Sequence, residues 1–245
     1  MNQFNRGGVV GGAADTDVGL KSFMLGTYRW MALAMGVTAV TAYMVGQAVM
    51  ASPSLMALVY NPITALVSFF VIVFGFGAVG RKLPTMSMGG VLAFLFGFAA
   101  FMGVLMSAYA TAFFNPMIVA KIFFMTVAMF AALSMFGYTT SFNLGAIVKY
   151  AFAAFLAYIV IGFVGMFVPA LSVFGGGVLG TVINVVALGA IAVITAWETQ
   201  HLKRIYYGMG GDTAMLNKLS AFGAASLLLA FINMFTILMN LFGRE

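Results

Sequence analysis

The chain contains no cysteine, one histidine and only five acidic residues in 245. Without cysteine there is no disulfide framework and no thiol chemistry. The single histidine, His201, lies at the edge of an apolar run, whereas a serine protease needs its histidine beside the nucleophile. An intramembrane aspartyl protease needs two aspartates inside the apolar segments, and Asp15, Asp17 and Asp212 all lie outside them. A metal-dependent enzyme needs a cluster of ligating side chains. No enzyme, resident metal or cofactor is therefore expected. Charge of either sign is scarce: 7% of residues are charged and 64% are hydrophobic, against roughly 25% charged in soluble domains. This is the composition of an integral membrane protein. The formal charge of +6 comes from basic residues scattered between apolar runs, so they set topology, and no nucleic-acid partner is expected.

A helical span needs about 20 apolar residues. Seven runs qualify, at about 30–50, 62–80, 88–113, 117–138, 150–169, 178–197 and 219–242, the sixth continuing as a polar helical end toward Tyr207. Residues 1–28 read as a cytoplasmic tail, partly disordered, with a short amphipathic helix from about Asp17. They lack an apolar core of the signal-peptide kind, so the first span is expected to stay as an anchor. Residues 29–245 read as one seven-helix domain, because the links between spans are short. Arg6, Lys21, Arg29, Arg81, Lys82, Lys149, Lys203, Arg204 and Lys218 fall on alternate links, and only Lys121 and Arg244 break the pattern. The positive-inside rule then places the amino end in the cytoplasm and the carboxyl end outside, in a bacterial plasma membrane.

In span three Ala99, Gly103, Ser107 and Thr111 recur every four residues and predict a smooth helix-packing face. Gly175-Gly176-Gly177 follows no strand and precedes no Lys-Ser/Thr pair, so it reads as a flexible link and not as a phosphate cradle. The twenty methionines are spread along the chain, which fits packing or lipid contact and not a copper site.

Glu198 stands apart. It is the one acidic residue within or bordering an apolar segment, and a carboxylate there is a candidate functional group. His201 lies one helical turn on. Asn184, Thr195 and Glu198 fall within about 60° of one another on a helix, and Ser226, Asn233 and Asn240 within about 40° on span seven. Two such stripes predict polar edges that face each other or a wet cavity. In the plainer reading, Asn184, Ser226 and Asn240 only hold helices together. Glu198 then reaches the headgroups and pairs with Arg81, Lys149 or Lys203.

Thr195-Ala196-Trp197-Glu198-Thr199-Gln200-His201-Leu202-Lys203 resembles the T-A-Y-D-T-Q-x-I-K signature of the transmembrane Bax inhibitor motif family. Gly223-Ala224-Ala225-Ser226-Leu227-Leu228-Leu229-Ala230-Phe231-Ile232-Asn233-Met234-Phe235 is similar to its G-A-L-S-L-Y-L-D-F-I-N-L-F. Phe136-Gly137-Tyr138-Thr139-Thr140 resembles its Y-G-Y-T-T, and Tyr28-Arg29-Trp30-Met31-Ala32-Leu33 the start of its first span. The resemblance implies six helices around a central seventh, and a pH-sensitive calcium leak gated by two aspartates that share a proton. Glu198 stands at the first of these positions. Ala230 stands at the second and cannot titrate. The expectation is thus a cation leak, weakened by the missing carboxylate, with Glu198 and His201 as its gate and proton-sensing residues. Calcium, which takes 6–8 oxygen ligands, is expected to bind weakly. The alternative is a non-conducting regulator or accessory subunit of another membrane complex, such as a membrane-anchored AAA protease.

Overall fold

The computed structural model describes residues 7–112, 115–168 and 177–243, with side chains from Val18 onward and, in the first stretch, as far as Tyr109. Among these residues there are eight helices and no strand: α1 (Gly7–Ala51), α2 (Pro53–Val59), α3 (Pro62–Lys82), α4 (Met88–Ala112), α5 (Pro116–Thr139), α6 (Gly145–Phe167), α7 (Val178–Gly208) and α8 (Thr213–Phe242). All but α2 are long and apolar enough to cross a membrane. In lipid, a helix satisfies its own backbone hydrogen bonds, which is why apolar runs of this length take that form.

Local chemistry sets the helix starts. Ser52, Asn61 and Asn115 each stand before a proline that opens α2, α3 or α5, and each accepts a hydrogen bond from the first turn. Proline suits that position because its missing N–H has no helical partner there anyway. Asp212 accepts from the Met215 amide at 3.0 Å and starts α8. That cap explains why α8 begins at Thr213 and not near 219, where the apolar run begins: hydropathy marks the lipid-facing part, whereas capping marks the helix. Similarly, α6 begins at Gly145, ahead of the expected 150. From Gly7 the described chain is helical, so the short helix expected near Asp17 is continuous with span one. Gly175 and Gly176 lie outside the described residues.

The last helix is the centre of the bundle. Of its most apolar stretch 67% is buried, against 39% at most for any other span and 6% for α3. It packs on α1, α4, α5 and α7. Glycine and other small residues let backbones come close where lipid offers no hydrophobic drive for helices to associate. The small face of α4 lies on α1 as expected: Ala99 and Ser107 are buried, and the Thr38 hydroxyl donates to the Ala99 carbonyl at 2.9 Å. The side chain of Thr111 lies outside the described set. A Cβ at Gly137 of α5 would run into the carbonyl oxygen of Ala196 on α7. One at Gly223 of α8 would meet Leu202 on α7 at 2.6 Å.

These contacts predict a contrast between two glycines. Gly137→Ala forces α5 off the α7 backbone and destabilises the protein by about 1–3 kcal/mol. Gly77→Ala meets open space and is neutral or mildly stabilising. Thermal unfolding in detergent, followed by helical circular dichroism, reads both.

Candidate functional site

The basic ends of the helices come together at one end of the bundle. There, a cavity of about 370 Å³ opens between α7, α8 and the end of α3. One face of α7 (Trp197, Glu198, His201, Leu202 and Ile205) meets one face of α8 (Met215, Leu219, Phe222, Gly223 and Ser226), and Gly80, Leu83 and Pro84 close the third side. Steps of three and four residues along both helices make each set a single stripe. The lining is apolar except for Glu198, His201 and Ser226. Among the described residues no three His, Cys, Asp or Glu side chains come together.

Glu198 lies ten residues before the end of α7, about 15 Å along the helix. The residue is half-buried, and its Oε2 is fully buried without a hydrogen-bond partner. The neighbouring cations point elsewhere. Lys203 Nζ donates to the Tyr138 carbonyl at 3.1 Å and sits 5.0 Å from the Tyr138 ring centroid. Lys149 Nζ lies over the Tyr150 ring. Of the partners that the plainer reading offers Glu198, Arg81, Lys149 and Lys203, the two lysines are held instead by tyrosine rings and by the Tyr138 carbonyl. His201 stacks on Trp197 with ring centroids 4.8 Å apart, and Trp197 meets Phe152 of α6 edge-on at 5.7 Å. The imidazole thus forms part of the cavity wall.

The two polar stripes do not form one seam. Glu198 and Ser226 share the cavity. Near the opposite end, the Tyr158 hydroxyl of α6 donates to Asn184 Oδ1 at 3.3 Å, and Asn240 Nδ2 donates to the same hydroxyl at 3.4 Å. Tyr109 of α4 lies beside Asn240 and Tyr158. Thr195 is buried and turned back onto the Ile191 carbonyl at 2.7 Å. Asn233 is half-buried and lies outside both groups. Between the two polar groups, α8 is dry: Leu227, Leu228, Ala230, Phe231 and Met234 are all buried. Ala230, one turn beyond Ser226, belongs to that dry stretch and not to the cavity lining.

A family profile described as "Inhibitor of apoptosis-promoting Bax1" matches residues 20–245. The chain belongs to this family. Its relatives include an uncharacterized protein of Caulobacter vibrioides, 34% identical, with 99% of this chain and 98% of that one aligned. The "Inner membrane protein YbhL" of Escherichia coli (strain K12) is 27% identical over 93% of each chain. An uncharacterized protein of Rickettsia prowazekii is 29% identical over 94% and 92%. The chain is thus a multi-pass membrane protein of the Bax inhibitor family.

Within this family member, Gln200 of the Thr195–Lys203 stretch and Arg204, just after it, have structural work that the sequence did not disclose. Gln200 Nε2 donates to the Phe142 carbonyl at 2.7 Å, and its Oε1 accepts from the Leu144 amide at 3.2 Å. Arg204 bridges Asn143 Oδ1 and Gln200 Oε1, both at 2.8 Å. Together with Lys203 these residues fasten the α5–α6 link to α7 and fix the rotation of α7 that turns Glu198 into the cavity. Tyr158 and Tyr109 were also missed. Their only signal was a phenol in an otherwise apolar span, and phenols also occur at membrane interfaces without partners.

Tyr158→Phe removes both hydrogen bonds that pass through the phenol. It is expected to lower stability by roughly 1 kcal/mol, the sum of two interhelical bonds of ordinary membrane strength. Chemical unfolding in micelles measures the loss.

Proposed function

We propose that the chain is a slow, pH-sensitive cation leak of the Bax inhibitor type, gated at Glu198 with His201 beside it. The observation that carries this reading is the unpartnered Glu198 Oε2 in a residue that opens on the cavity between α7 and α8. A carboxylate with no neutralising partner attracts cations and responds to protons, whereas one locked in an ion pair does neither readily. Glu198 and His201 are the titratable side chains of the lining. Calcium is the ion suggested by the family resemblance, and one carboxylate with a hydroxyl and backbone carbonyls gives it weak binding. Conduction tolerates weak binding, since an ion must also leave. The buried side chains of Leu227, Leu228, Ala230, Phe231 and Met234 close the path in this conformation, and Ala230 puts no second carboxylate there. A low basal flux follows.

The second reading is a non-conducting accessory subunit of another membrane complex, such as a membrane-anchored AAA protease. It is favoured by α3, which buries 6% of its most apolar stretch and leaves Phe70 and Phe74 exposed. In either case we place the protein in a bacterial inner membrane, with the amino end cytoplasmic and the carboxyl end outside, from the distribution of Lys and Arg.

Calcium flux into liposomes on either side of neutral pH tests the leak. Wild type should exceed protein-free liposomes and respond to pH. Glu198→Gln should fall to the protein-free level, and Ala230→Asp should exceed wild type. Flux of wild type and Ala230→Asp at the protein-free level would sink the leak and favour the accessory role, which co-purification with a membrane protease then tests. For topology, alkaline phosphatase fused after Glu245 should be active and a fluorescent protein fused there dark; the reverse result refutes the orientation.

A further inference from the structure

We propose that the gap between α1 and α5 is a binding site for one anionic phospholipid. The two helices pack little on each other, and each lies against α8. The space between them is a groove of about 480 Å³ lined by Lys21, Met24 and Tyr28 of α1 and by Phe130, Ser134 and Tyr138 of α5, among others. It opens at the basic end of the bundle, and Leu25 and Met135 on its rim are exposed toward the lipid.

The chemistry of the groove changes with depth as a phospholipid does. Lys21, exposed, lies at the mouth. Beside it is Tyr138, whose ring carries Lys203 Nζ. The mouth thus offers the Lys21 ammonium at headgroup level, with Lys203 behind the Tyr138 ring and outside the lining, and basic pockets between spans bind anionic headgroups. One turn deeper on α5, about 6 Å along the helix, lies Ser134. Its residue is 5% exposed, and its hydroxyl is buried without a hydrogen-bond partner. The hydroxyls of Thr27, Thr126 and Thr195 turn back onto the carbonyl four residues earlier; that of Ser134 does not. Left in the floor of the groove, it is a donor at the depth of the glycerol esters, whose carbonyls accept hydrogen bonds. Met24 lies near the depth of Ser134, and deeper still Phe130 and the ring of Tyr28 supply an apolar bed for an acyl chain. A zwitterionic lipid matches the two lower levels but gains less at the mouth, so the headgroup charge sets the preference.

Native mass spectrometry of the purified full chain in neutral detergent tests this, with dioleoyl phosphatidylglycerol and dioleoyl phosphatidylcholine as probes. The first phosphatidylglycerol adduct should form at about fivefold lower lipid concentration than the first phosphatidylcholine adduct, the effect of one lysine near a charged membrane surface. Lys21→Glu should abolish that preference, whereas Lys121→Glu, at the other end of α5, should leave it intact. Ser134→Leu fills the floor and should remove the first adduct of either lipid. If that variant does not fold, Ala131→Trp at an exposed groove position should do the same. Equal binding of the two lipids overturns the proposal, as does a preference that survives Lys21→Glu. A dimer whose interface covers the groove and excludes lipid makes a second copy the occupant and overturns it as well.

Discussion

Gly137 lets α5 lie on the carbonyl oxygen of Ala196, and Gly223 lets α8 lie on Leu202, so α7 is clamped on two sides within two turns. In lipid, contacts of this kind carry the association of helices, because apolar side chains gain nothing by leaving one hydrocarbon for another. The clamp leaves Glu198 little choice of direction. With α6 packed on another side of α7, Glu198 faces the end of α3, and the cavity lies there. The site is therefore a consequence of where glycine permits contact, as much as of the acidic residue itself.

Polar groups around this clamp are mostly engaged. Lys203 and Arg204 close the end of α5 and the link to α6, where cations also suit the negative end of a helix dipole. Gln200 serves the same link with both ends of its amide. At the opposite end of the bundle, Tyr158 gathers Asn184 and Asn240. What remains between is a central helix with a dry middle. Such a bundle has two polar ends joined by an apolar plug, an arrangement that resists passage at rest and concentrates any opening on one short segment of α8.

The centrality of the last helix was implied by the family resemblance alone. The spans and their number were legible in the sequence, because lipid imposes a length and an apolar composition that few other environments demand. Glu198 was legible for the same reason: one carboxylate bordering so much hydrocarbon is conspicuous. The helix starts at Gly145 and Thr213 were not: Asp212 caps α8, while Asn143 and Gln200 hold the amides at the start of α6, and hydropathy is blind to both. Nor was the separation of the two stripes. Periodicity gives angular position on each helix, but depth depends on how far neighbouring helices slide, and that is set by contacts such as Gly137 on Ala196 that no periodicity reveals. The fate of Lys203 was hidden likewise. Sequence places it near Glu198, yet the free carbonyl of Tyr138, on another helix, holds it.

One wall of the cavity comes from α3, the span with the least protein around it. Only its last residues and a few aromatic rings, such as Phe76 against Phe222 at 5.7 Å, tie it to the centre. A helix so weakly fastened takes its tilt from the hydrocarbon thickness around it, since mismatch is relieved most cheaply where the fewest contacts must change. The volume in front of Glu198 is accordingly a property of the protein and its bilayer together, and the same chain will present a different vestibule in a thin membrane than in a thick one.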